Sequence, residues 1–427
     1  MNNKKWMAIL LGGIMAASLA APCSVSAAEK TTLTFWHAMG GTNGEVLQQI
    51  VDDFNASQDE IEIKAEYQGT YDDTITKLKA AMQSDSGLPD VCQMYDVGTK
   101  FMYDSGAVIP VEDKFESTGY DKSSVMEVIS SYYTVDGKQY AMPFNVSTPM
   151  LYYNKDVFEA AGLDPETPPT TYDEVLEDAK KIVESGAAPV GYSQAIYGWF
   201  FEQQLAGLGV TYGNNDNGRK EAVTAVDFDS NGGGLKVFDM WKKLYDSGYF
   251  EDYGTTTADT QTAFFSGQVG MIIESTAILK NAVDSSPFEV GTGYLPRIEQ
   301  NDEGGVIIGG GSLWLTDTGN EANEDAAWKF IEYITTPDVQ AKWSMGTGYF
   351  AINEKAYETE DMKAYLKENP NFETAINQLK DSPVNCNTAG VLSGVQTEAR
   401  LTFNEIMPQV YDGKLTTQDA VDQLAAS

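Results

Sequence analysis

Arg400, the run Asn145-Val146-Ser147-Thr148 and the three glycines Gly309 to Gly311 are the residues whose types could hold a polar solute. Small hydrogen-bonding side chains on extended backbone suit a ligand cleft, and Pro143 and Pro149 keep that segment out of a helix. Consecutive glycines let backbone N–H groups approach an anion. Each pattern also has an ordinary structural use. Proline-rich loops enter strands, glycine runs make bulges, and an arginine beside an apolar stripe usually keeps its head in water. Covalent chemistry has less to work with. The chain holds one histidine, His37, so a nucleophilic triad would need that imidazole as base, and no Cys or His cluster has metal-ligand spacing. Asn214-Asn215-Asp216-Asn217-Gly218 has the composition of a calcium loop, yet Gly213 and Thr224 stand where its first and last ligands belong. It reads as a turn. Asp96 and Glu274 could be nominated as the acid pair of a secreted hydrolase, but among 63 acidic residues such a pair can always be found.

The elements that would position these residues form two α/β halves. Leu33 to Trp36, Ile61 to Tyr67 and Asp90 to Met94 read as strands. Between them lie helices marked by Val46, Leu47, Ile50, Val51 and Phe54, then by Ile75, Leu78, Ala81 and Met82; Thr42 or Asn43 is expected to cap the first. Alternation of this kind implies mixed, mainly parallel sheets, which bind ligands beyond the carboxyl ends of their strands. His37, Tyr71 and Asp96 lie at those ends. Met150 to Tyr153 begins the second half as a strand, followed by a short helix from Asn154 to Ala161 and a capping box at Thr171 and Glu174. Phe201 and Leu205 read as core. Val269 to Ile273 is a strand delivering Glu274 and Ser275. On the last long helix Val395, Ala399, Phe403, Ile406 and Val410 form the expected buried stripe, with Arg400 at its border.

Residues 1–27 read as an export signal: Lys4 and Lys5, an apolar run from Trp6 to Ala17, and small residues at Val25-Ser26-Ala27. The run is too short to span a membrane, and Pro22 disfavours lipid attachment at Cys23. The formal net charge is −35 across 427 residues. That excludes a general nucleic-acid binder and requires any anion site to be made locally. Cys92 and Cys386 could pair after export or remain free thiols.

Pro143-Phe-Asn-x-Ser-Thr-Pro149, continuing into Leu151-Tyr-Tyr-Asn-Lys-Asp156, resembles the first interlobe crossing of the extracytoplasmic glycerol-3-phosphate-binding proteins of ABC importers. Gly69-x-Tyr71, Tyr95-Asp96-Val97-Gly98, Val306 to Leu315, Met345 to Tyr349 and Tyr411-Asp412-Gly413-Lys414 are similar to the same family, so the resemblance spans nearly the whole exported chain. It implies an α/β, two-lobe binding-protein fold with three crossings. The lobes are 28–147 with 306–345, and 148–305 with 346–427, with the ligand cleft between them.

By position, the resemblance implies a ligand site of Tyr71, Asp96, Ser147, Trp199, Ser275, Gly310, Tyr349 and Arg400. Arg400 would hold the phosphate. Asp96 stands where the family commonly has Glu, and Ile196 replaces an aromatic beside Trp199, which counts against a choline-type diester. No enzyme activity, metal or cofactor is expected. The expected partners are glycerol phosphate or a glycerophosphodiester and an ABC permease with its ATPase subunits, the chain acting as a monomer in the periplasm or at the cell surface. A mono- or oligosaccharide stacked on Trp199 is the alternative.

Overall fold

The computed structural model describes residues 30–84 and 87–427. The expected export signal and Cys23 lie outside them. Among the described residues, twelve strands form two main sheets and a ribbon. Thr31–His37 (β1), Ile61–Tyr67 (β2), Val91–Tyr95 (β3), Val108–Ile109 (β4), Met142–Ser147 (β7) and Gly309–Thr316 (β12) make the first sheet, in the order β2-β1-β3-β12-β4 with β7 also on β12. Pro149–Asn154 (β8), Val190–Ser193 (β9), Val269–Ser275 (β10) and Val290–Gly293 (β11) make the second, in the order β11-β8-β10-β9. Thr134–Val135 (β5) and Lys138–Gln139 (β6) form the ribbon.

Helices cover these sheets because their apolar residues recur at helical spacing. Leu47, Ile50, Val51 and Phe54 are buried on the helix Gly41–Ser57, and Phe330 of the helix Glu321–Ile334 meets Phe35 of β1 at 5.5 Å between ring centroids. β7 and β8 are buried along their whole length, as strands covered on both faces should be. Only Thr148 separates them, so the chain passes from the first sheet to the second in one residue. The other two crossings lie alongside. Ser147 pairs with Gly309 across β7 and β12, and Phe350 N–H donates to the Val146 carbonyl at 2.9 Å. Phe201 and Leu205 are core, as expected, with Phe201 packed on Phe228, Phe238 and Phe403.

Three local expectations need correction, and the alternative left open for the two cysteines is decided. Parallel pairing is confined to β1–β2, β1–β3 and β9–β10, and the other pairings are antiparallel, because β7, β8 and β12 return from crossings that βα units do not make. The first helix starts at Gly41 with Gly40 before it, so Thr42 and Asn43 lie inside the first turn and cap nothing. Val395 is 56% exposed, since it precedes the helix Gln396–Tyr411 instead of joining its stripe; Ala399, Phe403, Ile406 and Val410 are buried. Cys92 and Cys386 are both free, and only Cys92 is buried.

The Asn-rich segment is a turn of unusual hand. Asn215, Asp216 and Asn217 all have φ between 55° and 58°, the left-handed region that asparagine and aspartate enter most readily among side-chain-bearing residues. Asn217 explains why it holds. Its Oδ1 accepts from the N–H groups of Tyr212 and Gly213 at 2.8 and 2.9 Å, and its Nδ2 donates to the Cys386 carbonyl at 2.9 Å. Asn217→Ala should therefore strand buried backbone groups and lower stability by about 3 kcal/mol. A urea midpoint unchanged from wild type would contradict this account of the turn.

Candidate functional site

Arg400 lies among Ala399, Phe403 and Met407 on the helix Gln396–Tyr411, and its side chain is almost wholly buried. That helix packs on the helix Gly198–Gly207 at very short range. A Cβ on Gly198 would stand 2.6 Å from the Arg400 Cα, so only glycine permits the approach. Glu202 follows Gly198 by four residues and shares its face. Its carboxylate accepts from Arg400 Nε at 2.7 Å and from Nη2 at 2.8 Å. Gln396 Nε2 donates to the same carboxylate at 2.6 Å.

The other edge of the guanidinium meets Asp96, which follows β3 of the first sheet. Nη1 and Nη2 lie 3.4 and 3.1 Å from the two Asp96 oxygens, and Val97 N–H also donates to Asp96 at 2.8 Å. Burial pulls the Arg400 pKa down, but the Asp96 and Glu202 carboxylates outweigh it and hold the guanidinium charged, well above the usual arginine range.

A polar chain on the first sheet aims the tyrosines at this centre. Ala38 N–H donates to Gln93 Oε1, Gln93 Nε2 to Asn145 Oδ1, and Asn145 Nδ2 to the Tyr71 hydroxyl at 2.7 Å. Tyr71 is the first residue of the helix Tyr71–Met82, fixed by the Thr70 and Asp73 capping box, and its ring stacks on Tyr95 at 5.1 Å. The Tyr349 hydroxyl shares Asn145 and Tyr71, while its ring stacks on Trp343 at 5.6 Å. Burial first, then Tyr349, pushes the Tyr71 phenol far above its usual range, so it stays a neutral donor and acceptor.

The remaining expected residues join through the crossings. Gly310 has φ of 91°, and a Cβ there would meet the Asn145 carbonyl oxygen at 1.8 Å, so the position admits no side chain. Its neighbour Gly309 pairs with Ser147 and lies under the Trp199 indole; a Cβ would meet that ring at 2.6 Å. Trp199 Nε1 is buried with no hydrogen-bond partner among the described residues. Ser275 does the routine work of a cap: its Oγ accepts from Ala277 N–H at 3.2 Å. His37 also fills a structural role, its Nδ1 accepting from Met39 N–H, with burial lowering its pKa to about 4.

Asp96 and Arg400 thus touch, Tyr71 and Tyr349 adjoin, and Gly309, next to Gly310, pairs with Ser147 and lies under Trp199. Cavities of 570, 790 and 670 Å³ open elsewhere, and none is lined by any of these residues. Asp96 and Arg400 are both buried. Glu202 was not anticipated, although a signal existed. Glu202, Gln203 and Gln204 are consecutive polar residues in a helix that is otherwise buried and apolar, and each has a specific partner. Gln203 binds both backbone groups of Ile307, and Gln204 joins Tyr172 to Trp241.

The profile described as bacterial extracellular solute-binding protein matches residues 49–374. The chain belongs to that family. It is 31% identical over 399 residues to the sn-glycerol-3-phosphate-binding periplasmic protein of Escherichia coli K12, covering 92% of this chain and 90% of the relative. Among solved structures, it is similar to a cyclic α-maltosyl-1,6-maltose-binding protein from Arthrobacter globiformis, with 25% identity, a TM-score of 0.78 and coverage of 93% and 97%. It is also similar to UgpB from Mycobacterium tuberculosis in complex with glycerophosphocholine, with 21% identity, a TM-score of 0.79 and coverage of 92% and 96%. The two-lobe fold follows. This chain is a solute-binding protein of an ABC importer working outside the cytoplasmic membrane, and it is not an enzyme.

Glu274, beside Ser275, adds a titration to the site. It accepts from Ser275 N–H and Gln261 Nε2, but burial dominates and raises its pKa from 4.5 to about 7. A carboxyl with the higher pKa in the folded state binds more protons when folded, so its stabilising effect is complete below pH 4.5 and is lost as pH climbs through 7. The stability of Glu274→Gln relative to wild type should rise between about pH 5 and pH 8. Urea melts showing a constant difference across that range would refute the shift.

Proposed function

We infer that this solute-binding protein captures sn-glycerol 3-phosphate or a glycerophosphodiester in the interlobe cleft and presents the closed form to its permease. The observation that carries the reading is Arg400. Its guanidinium is buried and charged, and its outer edge faces a carboxylate at lengths of 3.1 and 3.4 Å, where two phosphate oxygens could stand instead. Asp96, released, could accept from glycerol hydroxyls, and Tyr71, Tyr349, Ser147 and the Trp199 N–H would complete the polar shell. Gly310 would bring backbone close, and Ser275 would reach the ligand only by sharing its capping hydroxyl. The named ligand of the Escherichia coli relative supports the same chemistry.

Closure would be a hinge movement of 28–147 with 306–345 against 148–305 with 346–427, bending where the three crossings lie side by side. Export by cleavage after Ala27, without a lipid anchor at Cys23, completes the proposal. A saccharide ligand is the second reading. It is supported by the maltosyl-maltose-binding neighbour and by the buried indole of Trp199.

Calorimetric titration of protein unfolded and refolded to strip any carried ligand separates the two. Saturable binding of glycerol 3-phosphate or glycerophosphocholine is expected, weakened about 100-fold in Arg400→Ala. Arg400→Lys, which keeps the charge without the fork, provides a second variant if the alanine protein fails to fold. Binding of maltose alone, abolished by Trp199→Ala, would replace the phosphate reading with the saccharide one.

A further inference from the structure

The two edges of Arg400 are not equivalent. The Glu202 pairing is short and bidentate, and both partners belong to helices locked together at Gly198. The Asp96 pairing is longer, and its carboxylate comes from the opposite sheet. A ligand anion can therefore exchange with Asp96, while Glu202 stays.

Every group packed against the guanidinium matters to the resulting charge. Asp96 faces it from the end of β3, Tyr132 from the turn before β5, Tyr197 and Glu202 from the Gly198–Gly207 helix and its entry, Tyr212 from the loop after that helix, and Gln396 from its own helix; Glu274 lies near Tyr197. None of these is a second cation. Arg219 is beyond Tyr132, its guanidinium 5.2 Å from that ring and committed to the carbonyls of Tyr132, Ala389 and Gly390. Glu202 thus cancels the charge of Arg400 before any ligand arrives, and Asp96 leaves the site negative. A first negative charge on the ligand gains the outer fork. A second would face two carboxylates with no further cation among the described residues to meet it, in a buried setting where such repulsion is much stronger than in water.

Resting on the phosphate-ester reading, we propose that Glu202 sets the ligand charge this site accepts, selecting the phosphodiester monoanion over the phosphomonoester dianion. Glu202 acts through Arg400 and is a positioning and charge-setting residue. It need not touch the ligand.

The test compares sn-glycerol 3-phosphate with its methyl ester, which differ by one methyl group and one ionisable proton. Both are titrated into refolded protein at pH 6 and pH 8. The second ionisation of a phosphomonoester lies near pH 6, so if only the monoanion fits, monoester affinity should fall about 50-fold over that interval while the methyl ester keeps its preference. Titration of Glu274 near 7 acts on both ligands, so the ratio of their affinities isolates the ligand's own proton. Glu202→Gln should bring that ratio at pH 8 toward one and flatten its pH dependence. Equal affinities at pH 8 in wild type, or an unchanged ratio in Glu202→Gln, would overturn the proposal. If that variant does not fold, the wild-type ratio tests charge selection itself, and equal affinities at pH 8 overturn the proposal. Binding of neither ester would remove the phosphate-ester reading itself, an outcome distinct from equal binding of both.

Discussion

A guanidinium set between aromatic residues has no water to solvate it, so protein groups must meet its charge or the fold must do without it. Removing an ion from water costs several kcal/mol even after relaxation, and one well-formed partner seldom recovers that cost. Arg400 has two, and they come from different places. Glu202 is delivered by the Gly198–Gly207 helix, which lies against the Arg400 backbone because Gly198 has no side chain. Asp96 is delivered by the carboxyl end of β3. The same cation therefore fixes one helix pair and draws the first sheet onto it. Losing either carboxylate has different consequences: without Glu202 the arginine is free to reorient, whereas without Asp96 it keeps its orientation and loses its tie across the cleft.

Other polar contacts gather where the chain passes between sheets, within the second half around Thr148 and between the halves at Arg219. Thr148 exchanges hydrogen bonds with Thr276, and Gln378 reaches Thr148 and the Pro149 carbonyl. Arg219 spans from its left-handed turn to the Tyr132 carbonyl of the opposite half, and burial lowers its pKa to about 10 without displacing its proton at neutral pH. Such contacts can give way in the proposed hinge movement. Hydrogen bonds can be exchanged for water at modest net cost, while an apolar seam of the same area would hold the halves shut.

Much of this was legible in the residues. The helical faces and the Thr171 capping box follow from local patterns, which depend on neighbours a few positions away, whereas the β7-to-β8 crossing was read from resemblance. Val395 and the Gly41 helix start were misplaced because both sit at helix ends, where spacing gives no phase. The site was legible only through resemblance. Nothing local distinguishes Arg400 from a surface arginine; its burial depends on Gly198, about two hundred positions away. Glu202 was hidden for the same reason, since the aromatic residues beside it read as core and drew attention from the one charge within them. Ser275 carries the capping role that its local sequence already offered.

The strongly negative chain sets the scale on which ligand charge can be chosen. At physiological ionic strength, exposed charges are largely screened beyond about 8 Å, so most of the −35 acts on the approach of an anion and little on its bound state. A buried carboxylate is not screened in that way. One group against Arg400 can therefore outweigh many on the surface, and which edge of the guanidinium it occupies decides whether it competes with the ligand or accompanies it. On the proposed phosphate reading Asp96 competes, because its place is the outer fork. Glu202 accompanies, because it holds the inner edge through two short hydrogen bonds and a third from Gln396. Selectivity by charge then needs no large rearrangement of the cleft, only an arginine whose charge is already met on one side.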